Sequence, residues 1–229
     1  MSYDGFSLKK SVGQIALGKA YDSIFPNKCL FCRKVLDFVC EVACEECSKS
    51  VLFMHDFRED FFDNISKVHA AYDYNAEMVG NAVMRFKYGG KKLLARKMAL
   101  GIFDCLGTFD EPIADFLVCV PLHERRHKER GFNQAALLTM ELSRIYGVPA
   151  YDGMLRTRDT VKQFDLGPKE RAANVRAAFA LKEGFCVEGK DILLVDDVLT
   201  TGATMMECAK VLMMAGACSV GALAFAAVL

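Results

Sequence analysis

The sequence predicts an α/β protein in which a mostly parallel β-sheet is flanked by helices. From about residue 66 onward, segments with the periodicity of strands alternate with segments with the periodicity of helices. Two of the strand segments, 116–120 and 192–195, are continuous apolar runs, which is typical of strands buried on both faces of a sheet. Ahead of residue 66, a cluster of cysteines predicts a small metal-binding module.

Length and composition limit the classes of protein to consider. A chain of 229 residues can hold one α/β domain and a small appendage, and 52% hydrophobic with 25% charged residues indicates an ordinary soluble globule. Lys plus Arg and Asp plus Glu both number 29, so any nucleic-acid surface has to be local. Residues 1–26 show no signal-peptide pattern, and the apolar stretch 215–229 is shorter than the about 20 residues that span a bilayer. We expect a cytoplasmic protein without membrane insertion.

The elements follow from periodicity and from helix-ending residues. Residues 7–24 predict a short amphipathic helix that Pro26 ends, and we expect residues 1–65 to form this helix and the cysteine module. Residues 66–229 are expected to form the α/β domain, in which the polar segment 157–175 is an exposed loop. The predicted strands are 68–72, 116–120, 191–195 and 219–229, and the predicted helices are 75–86, 93–106, 133–146 and 204–215.

The segment Ile192–Thr204 carries the clearest chemical signal. Its apolar strand is followed by Asp196 and Asp197, at the strand end where α/β sheets bind their ligands. Small and hydroxylated residues with Gly202 then lead into a helix, so that several backbone N–H groups can converge on one anion. Three hydroxyl donors lie in the same loop: Thr200, Thr201 and Thr204.

An anion site beside two carboxylates predicts a ligand that carries both a phosphate and hydroxyl groups. Ribose 5-phosphate fits, with its phosphate in the loop and its 2- and 3-hydroxyls donating to Asp196 and Asp197. The alternative is an acidic turn that only caps a helix, for which one Asp or Thr would suffice. The chain lacks Gly-Lys-Ser/Thr and Gly-x-Gly-x-x-Gly here, which excludes a P-loop and a dinucleotide fingerprint.

The cysteine pattern predicts one metal site. Of 10 cysteines, five lie between Cys29 and Cys47, and the other five are scattered among apolar neighbours, which favours reduced thiols over a disulfide scaffold. Two Cys-x2-Cys pairs can complete a tetrahedral, structural Zn²⁺ site, whereas the alternative is a group of buried free thiols. Cys40 is an ambiguous fifth cysteine. The four predicted ligands are Cys29, Cys32, Cys44 and Cys47.

A cationic segment follows the other buried strand. Residues 121–134 begin with Pro121 and Leu122 and include Arg125, Arg126 and Arg130. Cations after a strand end are suited to binding a pyrophosphate, although a solvated, charged helix start is the alternative. The polar loop and its end carry a further set of spaced residues: Gln163, Leu166, Arg171, Asn174 and Phe179.

Together these motifs resemble the ComF family, phosphoribosyltransferase-like proteins associated with bacterial competence. All thirteen positions of 192–204 resemble the phosphoribosyl pyrophosphate (PRPP) binding motif of type I phosphoribosyltransferases. The family pattern begins with a four-cysteine zinc finger. Three motifs follow in chain order: Lys-Tyr-x-Gly, then Pro-Leu…Arg-Gly-Phe-Asn-Gln, and then Asp-Asp-Val-x-Thr-Thr-Gly-Ala-Thr. The family usually has a proline where Cys119 stands in this chain.

The resemblance implies a type I phosphoribosyltransferase-like fold that binds PRPP, with Mg²⁺ bridging the diphosphate. It also implies a role connected with DNA uptake and nucleoside metabolism. Single-stranded DNA and a competence helicase are the implied partners. The implied PRPP-binding residues are Asp196, Asp197, Val198, Leu199, Thr200, Thr201, Gly202, Ala203, Thr204, Pro121, Leu122, Arg125 and Arg126. The implied catalytic residues are Asp196, Asp197, Arg130 and Arg171.

Two functional hypotheses follow. The chain is either a transferase that moves phosphoribose from PRPP to a nitrogenous acceptor, or a non-catalytic component of DNA uptake that binds PRPP, a nucleotide or single-stranded DNA. A degenerate scaffold that binds neither is a third reading, against which the intact acidic and threonine positions argue. The DNA-binding hypothesis would use a local basic surface made of Lys28, Arg33, Lys34, Arg85, Lys87, Lys91, Lys92, Arg96 and Lys97.

Overall fold

The computed structural model describes residues 27–37, 42–51, 63–89, 93–107, 114–157 and 178–228. The predicted helix 7–24, Cys40, Arg171 and almost all of the polar loop lie outside these residues. No described helix is long and apolar enough to cross a membrane. The strands are β1 (Val68–Asp73), β2 (Phe116–Cys119), β3 (Ala150–Tyr151), β4 (Met154–Arg156), β5 (Phe179–Leu181), β6 (Asp191–Leu199) and β7 (Ser219–Ala227). The helices are α1 (Glu45–Ser50), α2 (Glu77–Tyr88), α3 (Leu94–Leu106), α4 (Glu124–Arg130), α5 (Gln134–Tyr146) and α6 (Ala203–Met214).

The main sheet has five strands in the order β1-β7-β6-β2-β3, and every neighbouring pair is parallel. The predicted parallel sheet is therefore confirmed. Strands β4 and β5 form a separate antiparallel ribbon. Parallel strands need crossover connections, and the described helices α2, α3, α5 and α6 occur in these connections.

The strand order creates a switch point between β2 and β6. The chain leaves β2 towards β3 on one side, whereas it leaves β6 towards β7 on the other side. The two connections diverge, so a crevice opens at the carboxyl ends of these strands, which is where open α/β sheets bind ligands.

Each face of the sheet packs against its own hydrophobic cluster. On one face, Phe86 of α2, Ile102 of α3 and Leu142 of α5 are fully buried. On the other face, Leu212 of α6 and Met154 of the ribbon are buried in the same way. The central strand β6 contributes to both clusters, which explains its continuous apolar run.

The described part of the cysteine module packs directly on the sheet. The Phe31 ring meets the Tyr72 ring edge-on at 5.3 Å, and Tyr72 lies 4.8 Å from Phe225 of β7. These residues belong to one buried cluster, in which Tyr72 also donates a hydrogen bond from its hydroxyl to the Gly101 carbonyl at 3.1 Å. The boundary at residue 65 remains a prediction.

The strands and helices predicted from residue 66 onward occur with shifted ends, and one shift affects the site. Strand β6 was predicted to stop at Val195, but it continues to Leu199 because β7 provides a backbone partner for residues 196–199. Helix α4 and strands β3, β4 and β5 were not predicted. Each of these strands has two or three residues, too few to show an alternating pattern.

Truncating a side chain in β6 tests the importance of the sheet core. We expect Leu194→Ala to lower the free energy of unfolding by about 2–5 kcal/mol, since Leu194 is fully buried and its loss leaves a cavity. Met140→Ala on the exposed side of α5 is the control and should change it by less than about 0.5 kcal/mol. Chemical denaturation measures both, and equal losses would contradict the assignment of β6 as the central core strand.

Candidate functional site

A cavity of about 420 Å³ lies at the switch point between β2 and β6. Its walls come from the end of β6, from the segments that follow β1, β2, β6 and β7, and from α2, α4, α5, α6 and β4. The carboxylates in its wall are Asp196, Asp197 and Glu129, and the cations are Lys87, Arg126, Arg130 and Arg156. The cavity therefore presents groups of both signs to a ligand.

The two carboxylates reach the cavity because β6 is longer than β2. Pairing with β2 ends where Cys119 faces Val195, but pairing with β7 continues to Leu199. Asp196 and Asp197 therefore lie on ordered strand backbone just beyond the end of β2. The amide of Asp197 donates to Oδ1 of Asp196 at 2.8 Å, which fixes the first carboxylate.

A buried lysine compensates the acidic pair. Nζ of Lys87 lies 3.1 Å from Oδ2 of Asp197, and the two side chains are 16% and 8% exposed. Burial lowers the pKa of Lys87, but the charges of Asp197 and Asp196 outweigh that effect and raise it. Burial and the charge of Asp197 raise the pKa of Asp196 to about 8, against the opposing effect of Lys87. Asp196 is therefore harder to ionise than an exposed aspartate when no ligand is present.

The loop after β6 leads directly into helix α6. Gly202 has φ +73°, in the left-handed region that favours glycine, and it precedes the first turn of α6. The first N–H groups of a helix have no intrahelical acceptor, and they carry partial positive charge. Val198, Thr200 and Thr204 line the cavity, whereas Leu199, Gly202 and Ala203 are buried beneath it and Thr201 is half-buried.

The cationic segment 124–130 forms helix α4. Gly131 ends this helix with φ +77°, and Asn133 begins α5 by accepting a hydrogen bond from the Ala135 amide at 3.0 Å. The Asn133 side chain also donates to the Val120 carbonyl at 3.1 Å, which attaches the start of α5 to the end of β2. Phe132 is buried against Phe86, 5.9 Å away. The Arg-Gly-Phe-Asn-Gln motif thus turns the chain between two helices beside the cavity.

The cations of α4 do not all face the cavity. Arg126 and Arg130 line it, together with Pro121 and Leu122 of the preceding segment. Arg125 is exposed, with Nε 3.8 Å from Glu129 Oε1, and it is not part of the cavity wall. The structure therefore brings together two of the three arginines that the sequence pointed to in this segment.

Eleven residues of the cavity wall were not assigned to it by sequence reasoning, including Lys87, Tyr88, Gln134 and Arg156. Lys87 had been assigned to a basic surface, but it is buried against Asp197. Arg156 reaches the cavity from β4 and lies over the Phe179 ring at 5.4 Å. No local pattern indicates Arg156, since β4 has only three residues.

The four predicted metal ligands do converge. The sulfur atoms of Cys29, Cys32, Cys44 and Cys47 all lie within 4.8 Å of one another, and those of Cys32 and Cys44 are 3.6 Å apart. Tetrahedral zinc with Zn–S bonds of about 2.3 Å separates its sulfurs by about 3.8 Å. The donor set and its spacing are therefore compatible with a zinc site.

The backbone around the first cysteine pair forms a tight knuckle. The Cys29 amide donates to the Lys34 carbonyl at 2.7 Å, and the Cys44 amide donates to Cys29 Sγ at 3.4 Å. Burial raises the pKa of Cys29, but amide donors from Cys44, Cys32 and Phe31 outweigh it and lower the pKa to about 7. Burial and the adjacent sulfurs raise the pKa of Cys47. One thiol is therefore ready to ionise, as a metal ligand must.

The remaining cysteines in the described part of the chain form no disulfide bonds. Cys105, Cys119 and Cys208 are buried, whereas Cys186 and Cys218 are exposed and are not the core thiols that their apolar neighbours suggested.

Two further cations of the predicted basic surface hold the cysteine module in place. Arg85 donates from Nη2 to the carbonyls of Leu30 and Phe31, and Lys97 donates to the carbonyl of Lys28. With Lys87 buried in the cavity wall, three members of the predicted surface have internal partners. Lys87 therefore does not belong to the predicted basic surface, and for the other residues that surface stays a prediction.

Comparison with known proteins gives consistent matches. Residues 159–228 match the family model of the phosphoribosyl transferase domain. The chain is 38% identical over 128 residues to DNA utilization protein YhgH of Escherichia coli K12, which covers 56% of each protein. It is 28% identical over 213 residues to Competence protein F of Haemophilus influenzae, covering 83% of this chain and 92% of that protein. It is 34% identical over 150 residues to Competence protein ComFC of Bacillus subtilis, covering 64% and 58%.

The chain spans about half the length of the YhgH relatives that it matches. Among solved structures, the allosteric regulatory enzyme of purine biosynthesis aligns with 62% of this chain and 29% of its own, at 20% identity and a TM-score of 0.39. This structural similarity is too distant to support any conclusion about the site. The domain match, the parallel sheet and the four-cysteine cluster confirm the predicted phosphoribosyltransferase-like fold with a cysteine module near its amino end.

Removing one thiol tests the cysteine cluster. We expect Cys47→Ser to abolish stoichiometric zinc binding, because three thiolates and a hydroxyl bind zinc far more weakly than four thiolates. Zinc content by atomic emission after dialysis is the measurement, and Cys218→Ser, at an exposed free cysteine, is the matched control. Equal zinc content in the two variants would contradict a four-cysteine site.

Proposed function

We propose that this chain, whose relatives and domain match support a ComF family protein, binds PRPP in the cavity between β2 and β6. One observation carries this proposal: an acidic pair and the start of helix α6 line the same cavity at a switch point of the sheet, and helix starts favour anions. In the proposed complex, Asp196 and Asp197 accept the ribose hydroxyls, and the loop 198–204 binds the 5-phosphate.

The cationic wall supports a place for the pyrophosphate. Arg126 and Arg130 line the cavity from α4, and Arg156 adds a third guanidinium from β4. Guanidinium groups pair well with phosphate oxygens, often through two parallel hydrogen bonds. Arg171, which lies outside the described residues, is proposed to add to this set. Mg²⁺, when bound, would offset charge on the diphosphate and be held mainly through substrate oxygens and water.

We propose a reaction for this site. The bond between C1 of the ribose and the pyrophosphate oxygen breaks, a bond from C1 to an acceptor nitrogen forms, and that nitrogen loses a proton. Positive charge develops on the ribose ring, as in glycoside cleavage, and Asp196 and Asp197 are placed to stabilise it. The cations of α4 offset the charge of the leaving pyrophosphate.

A role in DNA uptake is the second candidate. It is favoured by the names of the relatives, two of which are competence proteins and one a DNA utilization protein. In this role the chain binds PRPP, a nucleotide or single-stranded DNA without turnover, with a competence helicase as the proposed partner. The cysteine module would then serve as a zinc-stabilised support for that surface.

Neutralising the acidic pair tests both candidates. We expect Asp196→Asn with Asp197→Asn to weaken PRPP binding by at least roughly tenfold, because two charged acceptors for the ribose hydroxyls are lost. Calorimetry with Mg²⁺ and PRPP measures the affinity, and a coupled assay measures pyrophosphate release with nitrogenous acceptors. Glu183→Gln, at an exposed carboxylate away from the cavity, is the control. Unchanged affinity in the double variant would contradict the proposed ribose site.

The raised pKa of Asp196 predicts a pH dependence. The Asp196 carboxyl binds its proton more tightly in the folded, unliganded protein than in the unfolded chain. Raising the pH towards 8 therefore lowers the free energy of unfolding. A hydroxyl donor favours the ionised carboxylate, so ligand binding at neutral pH should release a proton. We expect the affinity for PRPP to rise by on the order of tenfold between about pH 6.5 and 8.5.

Calorimetry in buffers with different ionisation enthalpies counts the protons released on binding. Asp196→Asn is the comparison, since it removes the titrating group while the phosphates of PRPP titrate as before. The same proton release in the variant and in the wild type would show that another group is responsible.

A further inference from the structure

The last turn of α2 contacts two opposite parts of the cavity wall. Lys87 pairs with Asp197 of β6, and Tyr88 contacts Arg130 of α4. Consecutive residues of an α-helix project about 100° apart, so one turn can direct these two side chains to different walls. Gly89 follows at once and caps the helix end.

Lys87 determines how Asp197 can meet a ligand. Two adjacent carboxylates in a buried site repel each other, and an unpaired buried charge is costly. The ammonium group of Lys87, 3.1 Å from Oδ2, compensates Asp197 and holds that oxygen. A carboxylate held in this way keeps one orientation towards the cavity that it lines.

Tyr88 determines the direction of the Arg130 guanidinium. Nη2 of Arg130 donates to the Tyr88 hydroxyl at 3.3 Å, and Cζ lies 5.2 Å from the centre of the Tyr88 ring. Nη1 of Arg130 donates to Oε1 of Gln134 at 3.0 Å, and Gln134 is 2% exposed. Arg130 is the last residue of a short helix, so these contacts on both sides orient a side chain that would otherwise sample many rotamers.

We propose that Lys87 and Tyr88 are positioning residues that set the spacing between a hydroxyl-binding half and an anion-binding half of the site. Lys87 orients Asp197 towards a pentose, and Tyr88 orients Arg130 towards a diphosphate. Both act from the same turn of α2, so one helix end links the two halves of the site. This inference rests on the proposed function and deepens it, because it assigns the two halves of PRPP to two neighbouring residues.

Two separate probes test the inference by calorimetry: ribose 5-phosphate, and pyrophosphate with Mg²⁺. Lys87→Met should weaken the binding of ribose 5-phosphate by on the order of tenfold and change the affinity for pyrophosphate by less than about twofold. Tyr88→Leu should instead weaken the binding of pyrophosphate by on the order of tenfold and change the affinity for ribose 5-phosphate by less than about twofold. The reason is that Tyr88→Leu removes both the hydroxyl and the ring that hold Arg130. The conservative Lys87→Arg should retain ribose 5-phosphate binding, and Tyr88→Phe should lose part of the pyrophosphate affinity alone.

Met84→Ala is the matched control, since Met84 is 44% exposed on the same helix and is not part of the cavity wall. If both Lys87→Met and Tyr88→Leu weaken both probes equally, or if Tyr88→Phe behaves as wild type, the two-half assignment is wrong while the proposed function stands. A wild-type protein that binds neither probe overturns the proposed function and this inference with it. Thermal melting identifies variants that fail to fold. If Lys87→Met or Tyr88→Leu fails to fold, the affinities of Lys87→Arg and Tyr88→Phe for the two probes decide between the assignments.

Discussion

The site depends on one difference in strand length within the sheet. Strand β6 extends past β2 because β7 continues to pair with it, and this extension holds Asp196 and Asp197 on ordered backbone at the switch point. Had β6 ended at Val195, the acidic pair would belong to a loop with no fixed direction. The loop that follows leads into the first turn of α6 at the same cavity, so the two carboxylates and the helix start come from one continuous segment.

Charge compensation is the second condition for this arrangement. A buried acidic pair is tolerated only where a cation is close, and here the cation comes from α2, far along the chain from β6. The same helix also supports the cysteine module, because Arg85 donates to the knuckle carbonyls of Leu30 and Phe31. The module and the cavity therefore share one structural element, and both depend on the packing of α2 against the sheet.

The sequence was informative where chemistry and structure are local. The segment 192–204 contains its strand, its acidic pair and its helix start in one run, and the four cysteines lie within nineteen consecutive positions, 29–47. The roles of Lys87, Tyr88 and Arg156 were not predictable, because each depends on a partner that only the tertiary fold brings close. Helix α4 was missed because its seven residues are all polar and show no apolar face. Basic residues looked like a surface because sequence alone does not reveal that Arg85 and Lys97 bond to carbonyls.

The most direct test of the central claim is a crystal structure of the protein with ribose 5-phosphate. We predict that the phosphate lies at the first turn of α6, within hydrogen-bonding distance of Thr200 or Thr204, and that the ribose hydroxyls contact Asp196 and Asp197. A sugar phosphate bound elsewhere, or bound with its hydroxyls turned away from both carboxylates, would contradict the account.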